Sequence, residues 1–354
     1  MKIGSIDLDR IKEWIASSLS LSLSRKEEIS LVPLPGDVST RKYYRVLIRD
    51  FRLPSFVLCY QRPFNEDHSN FLIIQKMWKK QGINVPEVFA YSGDLGLILQ
   101  QDLGDVTLEA SLSLSGSGQL GGATLFRPVL CDLEKRVTRG QMVLEQMLLV
   151  WNMPPHAYRH KFSAHRFCFE LGWTWRYLVK AALGVSATKE YADRWVIESR
   201  YIGEYLGQQC FYPSHRDLHS RNIMVYQDQV YFIDFQDARL APLYYDLVSF
   251  VFDCYLEYQP QFEQFIIEEF HRKMKKEFDQ KLYRIQIIQR LLKAAGSFAS
   301  VYYLKNDFRY LGYIPQALQL CLTYLVQENN LITTTKIVEK ILNSKWMLHG
   351  PDSN

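Results

Sequence analysis

Ser214-His215-Arg216-Asp217-Leu218-His219-Ser220-Arg221-Asn222, followed by Ile233-Asp234-Phe235-Gln236-Asp237, is the stretch on which the reading of this chain turns. Asp217 stands five positions before Asn222, and Asp234 follows twelve positions later, after the apolar run Gln229-Val230-Tyr231-Phe232-Ile233. Phosphoryl transfer needs this set of groups: one carboxylate to accept the proton of an attacking hydroxyl, and an amide oxygen plus a second carboxylate to hold Mg²⁺ against nucleotide phosphates. Asp217 is therefore the candidate base, and Asn222 and Asp234 the candidate metal ligands. Asp or Asn alone is a common surface-turn residue. The loop, the strand and the second Asp in one register make the chemical reading the stronger.

Outward from that stretch, the order of elements predicts an α+β, bilobal, protein-kinase-like fold with a small β-rich N-lobe and a larger, mainly helical C-lobe. Ile6 to Leu19 has helical spacing; Ile29–Pro33, Tyr43–Ile48 and Phe56–Tyr60 read as strands, Leu72–Lys80 as a helix, and Val88–Tyr91 and Leu97–Gln100 as two more strands. The predicted boundary puts residues 1–104 in a nucleotide-binding lobe and 105–354 in a catalytic and acceptor-binding lobe. Residues 111–126, rich in Ser, Leu and Gly, read as a flexible insertion. The C-terminal third, Phe262 to Trp346, carries amphipathic runs that read as core-facing helices.

Composition narrows the class. The 354 residues suffice for two lobes, and 42 basic against 38 acidic residues, net +4, give no argument for nucleic acid. No apolar run approaches the roughly 20 residues of a membrane helix. Met1 to Ser24 lacks a signal-peptide core. Six scattered cysteines without a CxxC pair suit a reducing cytoplasm better than a disulfide frame or zinc site.

In the small lobe, Gly36 to Val46 occupies the place of a phosphate-covering loop with a single glycine. Ser39 and Thr40 are candidate phosphate donors, and Arg41 and Lys42 candidate charges; a plain polar hairpin fits this stretch equally well. The third strand, Phe56-Val57-Leu58-Cys59-Tyr60-Gln61, has no lysine, and Phe71 to Lys80 has no glutamate, so the usual Lys–Glu pair is missing as a unit. Gln101, Asp102 and Leu103, at the exit of the last strand, are the expected hinge that holds the adenine edge.

Only twelve positions separate Asp234 from Asp246. That is too few for an activation segment that docks a peptide, and a helix is expected from Leu247 to Tyr258 with Asp246 as its N-cap. The acceptor is thus expected to be small. His215 and His219 flank the base and read as structural donors, His219 being also a candidate substrate contact. Arg221 is either a charge-stabilising or a solvent-facing arginine.

These residues resemble the aminoglycoside-phosphotransferase superfamily, and within it the bacterial anomeric kinases of N-acetylmuramate and N-acetylglucosamine. The resemblance lies in GDVSTRKYYRV (36–46), FVLCYQRPFNED (56–67), LQQDLGD (99–105), HRDLHSRN (215–222), IDFQDARLAPLYYDLVS (233–249) and LLKAAGSFASVYYLKNDFRYLGYIP (291–315). It implies ATP and Mg²⁺ as cofactors, a cytoplasmic enzyme of cell-wall sugar salvage, and a small sugar as acceptor. Asp217 as base and Asn222 and Asp234 as metal ligands are the roles it carries over. Glu170-Leu171-Gly172-Trp173-Thr174-Trp175 is similar to the family's sugar-side stretch: Glu170 would bond sugar hydroxyls and Trp175 would stack on the ring, although a helix packing tryptophans into the core fits too. Gln236 and Asp237 are the next candidates for sugar contacts. Two other readings stay open: an aminoglycoside or other small-alcohol kinase, which a slightly basic chain suits less well than a neutral or anionic sugar, and a non-catalytic nucleotide-binding regulator.

Overall fold

The computed structural model describes residues 2–3, 6–34, 41–49, 55–114, 125–344 and 346. The chain forms two compact units, Met1–Val106 with Met224–Asp237, and Thr107–Ile223 with Ala238–Asn354. The hairpin that carries Asp234 is thus grouped with the first unit, whereas Asp217 and Asn222 lie in the second.

The first unit opens with a two-residue ribbon, β1 (Lys2–Ile3) and β2 (Ile6–Asp7), and helix α1 (Leu8–Ser18), capped by the Asp7 carboxylate, which accepts from the Asp9 N–H. Strands β3 (Ile29–Pro33), β4 (Lys42–Ile48), β5 (Phe56–Tyr60), β6 (Val88–Ser92) and β7 (Leu97–Gln101) form an antiparallel sheet of order β3-β4-β5-β7-β6. Helix α2 (Asn70–Lys80) connects β5 to β6. Alternation along the strands sorts the residues between two faces. Val46, Phe56, Leu58, Leu97 and Leu99 pack with Ile11 and Ile15 of α1. Tyr43 and Arg45, paired in register with Cys59 and Val57, occupy the other face. Strands β9 (Ile223–Tyr226) and β10 (Gln229–Phe232) form a hairpin whose turn residues, Gln227 and Asp228, both take positive φ, as a two-residue turn between twisted strands requires.

The second unit is helical: α3 (Leu108–Leu112), α4 (Leu133–Trp151), α5 (Ala164–Thr174), α6 (Lys180–Thr188), α7 (Ala192–Gly207), α8 (Tyr245–Val251), α9 (Pro260–Met274), α10 (Gln280–Lys305), α11 (Ile314–Leu325) and α12 (Ile332–Leu342). Its one described ribbon pairs β8 (Phe211–Ser214) with β11 (Arg239–Pro242). Helix α10 runs through the middle and meets α5 at Gly296, where a Cβ would stand 2.4 Å from the Thr174 hydroxyl oxygen. Only glycine lets the two backbones come this close, and Thr174 Oγ1 seals the contact by donating to the Leu292 carbonyl at 2.8 Å.

Two sequence expectations are corrected. Helix α8 spans Tyr245–Val251 rather than 247–258, and Asp246 sits in its first turn, with Tyr244 at the N-cap. The helix stops because Asp253 accepts from the Tyr255 N–H two residues on, a local turn that competes with helix propagation. Of the predicted insertion, residues up to Leu112 end helix α3 and Ser113 bridges to Cys131, while residues 115–124 lie outside the described residues. No described helix is long and apolar enough to cross a membrane.

Candidate active site

In the second unit the loop after β8 is gripped at both ends by buried carboxylates. Asp246 accepts from Ser214 Oγ (2.9 Å), the His215 N–H (2.6 Å) and the Arg216 N–H (3.0 Å). Burial pushes its pKa up against these hydrogen bonds. Asp253 accepts from the Ser220 N–H at 2.6 Å. Between them Arg216 is held at φ +82°, a conformation that a non-glycine residue keeps only where its surroundings enforce it. His215 is buried, and its Nδ1 accepts from the Asp217 N–H at 3.3 Å, a structural role.

The Asp217 carboxylate is about one-third exposed and meets three basic side chains. Arg290 Nη2 donates to Oδ1 at 3.1 Å, Lys293 Nζ lies 3.6 Å from the same oxygen, and His219 Nε2 is 3.5 Å from Oδ2. Burial pushes the carboxyl up, but Lys293, His219 and Arg290 outweigh it and hold Asp217 well below the usual carboxylate range. A base that stays ionised at neutral pH follows. Asn222 donates its Nδ2 to the Asp217 carbonyl at 2.9 Å. That bond spends the amide nitrogen and leaves the amide oxygen as the group that would ligate a hard cation.

In the first unit Asp234 stands at φ +61° and accepts from Gln236 Nε2 at 2.7 Å. The next residue, Phe235, is fully buried, stacked on Phe71 at 5.0 Å between ring centroids and packed against Trp78 at 5.4 Å. Asn70 Nδ2 donates to the Gln236 carbonyl. Helix α2, which has no glutamate, thus holds the Asp234 segment with aromatic rings and one amide. Among the described residues no group of three His, Cys, Asp or Glu side chains is placed to hold a metal. An amide oxygen and a carboxylate are each hard ligands of the kind Mg²⁺ takes.

The other predicted residues fall in distinct places. Ser39 and Thr40 lie outside the described residues. Arg41 donates to Gln61 Oε1 at 3.0 Å and stands beside Tyr43 and Cys59, both of which also feel the charge of Asp234. At the strand exit, Gln101 is tied to Glu87: its side-chain Oε1 accepts from the Glu87 N–H (3.2 Å). Asp102 is clamped by Arg45 (2.7 and 3.2 Å), Ser55 Oγ (2.7 Å) and the Gly104 N–H (2.9 Å), while Arg45 also grips Asp105. Leu103 is buried. The Asp102 carboxylate is thereby committed within its own unit.

Arg221 is bonded to both Glu109 oxygens (2.6 and 3.0 Å) and to the Tyr313 hydroxyl (2.7 Å), with its guanidinium 3.9 Å above the Tyr255 ring. It braces the loop against α3 and the segment before α11. Glu170 is buried, accepts from Gln289 Nε2 at 2.9 Å and pairs with Arg166 at 3.4 Å. Trp175 packs on Trp195 at 5.4 Å. Asp237 is exposed. Sequence reading missed Arg290 and Lys293, Arg45, and the Phe71–Trp78 pair. The signal available for the first two was the spacing of Gln286, Gln289, Arg290 and Lys293, polar residues three or four apart within an otherwise apolar stretch.

Comparison with known proteins bears on this arrangement. Residues 154–278 match the model of the phosphotransferase enzyme family. Those residues are an aminoglycoside-phosphotransferase-type domain. Such an enzyme is a kinase with an alcohol group as acceptor. The chain is 25% identical over 324 residues to an N-acetylmuramate/N-acetylglucosamine kinase of Neisseria meningitidis, covering 87% of this chain and 88% of the relative. It is 25% identical to a protein of the same name from Pseudomonas aeruginosa, covering 81% of each. Among solved structures it superposes on choline kinase LicA from Streptococcus pneumoniae with a TM-score of 0.59 at 12% identity, covering 89% of this chain and 98% of that one. It also resembles a thermostable mutant of aminoglycoside phosphotransferase APH(4)-Ia in ternary complex with ADP and hygromycin B (TM-score 0.55, 11% identity, 88% and 97% covered). The bilobal kinase-like fold of the phosphotransferase is the one expected from its element order.

Proposed function

We propose that this phosphotransferase transfers the γ-phosphoryl group of ATP to the C1 hydroxyl of N-acetylmuramate or N-acetylglucosamine, in cytoplasmic salvage of cell-wall sugars. The observation that carries this reading is the Asp217 carboxylate, ionised by its basic neighbours in a loop pinned by Asp246 and Asp253. The names of the relatives that share most of its length supply the acceptor.

An anomeric hydroxyl is more acidic than an ordinary alcohol, so a weakly basic carboxylate suffices. As the C1 oxygen attacks phosphorus, its proton passes to Asp217, the bond to the bridging oxygen breaks, and ADP leaves with that electron pair. Mg²⁺, which Asn222 Oδ1 and the Asp234 carboxylate would hold, supplies charge neutralisation on the phosphates. Arg41 is the cation of the first unit that we assign to phosphate in place of the absent third-strand lysine. The main chain of Asp102 and Leu103 is assigned to adenine.

The test is ³¹P NMR of the protein with Mg²⁺-ATP and each sugar. A new resonance coupled to the anomeric proton supports the reading. ATP consumed only with other alcohols would replace the sugar by another small acceptor. ATP untouched by a broad panel would favour a nucleotide-binding regulator.

A further inference from the structure

The surroundings of Asp217 are more basic than one catalytic carboxylate requires. Helix α10 brings Arg290 and Lys293, three residues apart and so on one helix face, to the same Asp217 oxygen, at 3.1 and 3.6 Å. Their side chains are only 9% and 19% exposed. Arg216 acts on the same ammonium.

Of the acids nearby, Glu170 also acts on both cations from a distance, but neither Arg290 nor Lys293 is bonded to it. Glu170 is shared by Gln289 and Arg166, while Asp246 and Asp253 hold main-chain N–H groups of the loop. Two largely buried cations bonded to or paired with one carboxylate leave the second of them, Lys293, under-compensated: burial and Arg290 push its pKa down further than Asp217 and Glu170 raise it. An acceptor that brings a negative charge would offset that cost; a polycationic or quaternary-ammonium acceptor would add to it.

The two cations are not equivalent. Arg290 is fixed, donating to Ser249 Oγ at 2.6 Å as well as to Asp217. Lys293 lies at ion-pair distance, beyond hydrogen-bond length, so its N–H donors remain available to a second anion.

Resting on the amino-sugar reading above, we propose that Lys293 is a specificity-determining residue that pairs with a carboxylate on the acceptor, the lactyl carboxylate that distinguishes N-acetylmuramate from N-acetylglucosamine. Arg290 keeps Asp217 oriented, and Lys293 reads the acid.

The experiment compares kcat/KM for the two sugars in wild type, Lys293→Met and Lys293→Arg at saturating Mg²⁺-ATP. The ratio of N-acetylmuramate to N-acetylglucosamine should fall about tenfold or more in Lys293→Met, as expected for loss of one charge-assisted bond, and be largely kept in Lys293→Arg. A ratio unchanged in Lys293→Met, with both sugars losing alike, overturns the proposal.

Calorimetric binding of each sugar to wild type, without nucleotide, provides a readout independent of turnover and of the variants' folding. Tighter binding of the acid, weakened by added salt, supports the pairing; equal or weaker binding of the acid overturns it. Failure of the sugar reading itself has a different signature: wild type turns over other alcohols but neither sugar.

Discussion

Asp217 carries the chemistry, and its neighbours set what can be measured. Asp217→Asn should lower kcat about 10²–10⁴-fold, the usual contribution of a positioned base, with the KM for ATP little changed; steady-state kinetics decide, and full turnover in the variant would remove Asp217 from the mechanism. The three motif residues could be read from the chain because phosphoryl transfer fixes residue types at short spacings within one loop and one hairpin. What Arg290 and Lys293 would meet could not be read, because they reach Asp217 from a helix more than seventy positions away, through folding alone. Arg221 shows the reverse: adjacent to Asn222 in sequence, it is committed to Glu109 and an aromatic cage. Proximity in sequence says little about where a long side chain points.

At the scale of elements, strands and helices were legible where apolar periodicity and caps agree, as in the five strands of the sheet and in α2, whose Ser69 cap accepts from the Leu72 N–H. The clamp at the end of β7 was not, since Arg45 looks like one more basic residue in a phosphate-side strand. Its ion pair with Asp102 joins β4 to the strand exit, with Asp102 nearly buried and Arg45 about one-fifth exposed. Arg45→Met should cost about 2–4 kcal/mol, less than a fully buried pair because of that exposure. The pH dependence has a definite sign. Burial pushes the Asp102 pKa up, but Arg45, Ser55 and the Gly104 N–H outweigh it and leave it below the ordinary value. The stabilisation is therefore full above the unfolded value of about 3.9 and is lost as pH falls through the lower folded value. Urea unfolding of wild type and Arg45→Met should differ at pH 7 and converge in acid; a gap that persists undiminished at the lowest pH would assign the stabilisation to packing of the arginine stem.

For the molecule as a whole, the expected dependence is on a divalent cation. Chelation should abolish turnover, and added Mg²⁺ should restore it in wild type but not in Asp234→Ala. In a thermal melt, nucleotide at about a hundredfold over its Kd should add about 2.7 kcal/mol of stability, and the gain should shrink in the chelated protein. Turnover that survives chelation would dissociate Asn222 and Asp234 from metal binding. The way Phe235 is seated between Phe71 and Trp78 bears on control. Regulated kinases couple activation to an ion pair between strand and helix that can be broken and remade. A stack of rings has no charge to screen and no proton to gain, so ionic strength and mild pH changes give no handle on it. The seating of Phe235, and with it the backbone of Asp234, is therefore expected to hold across ionic strength and mild pH.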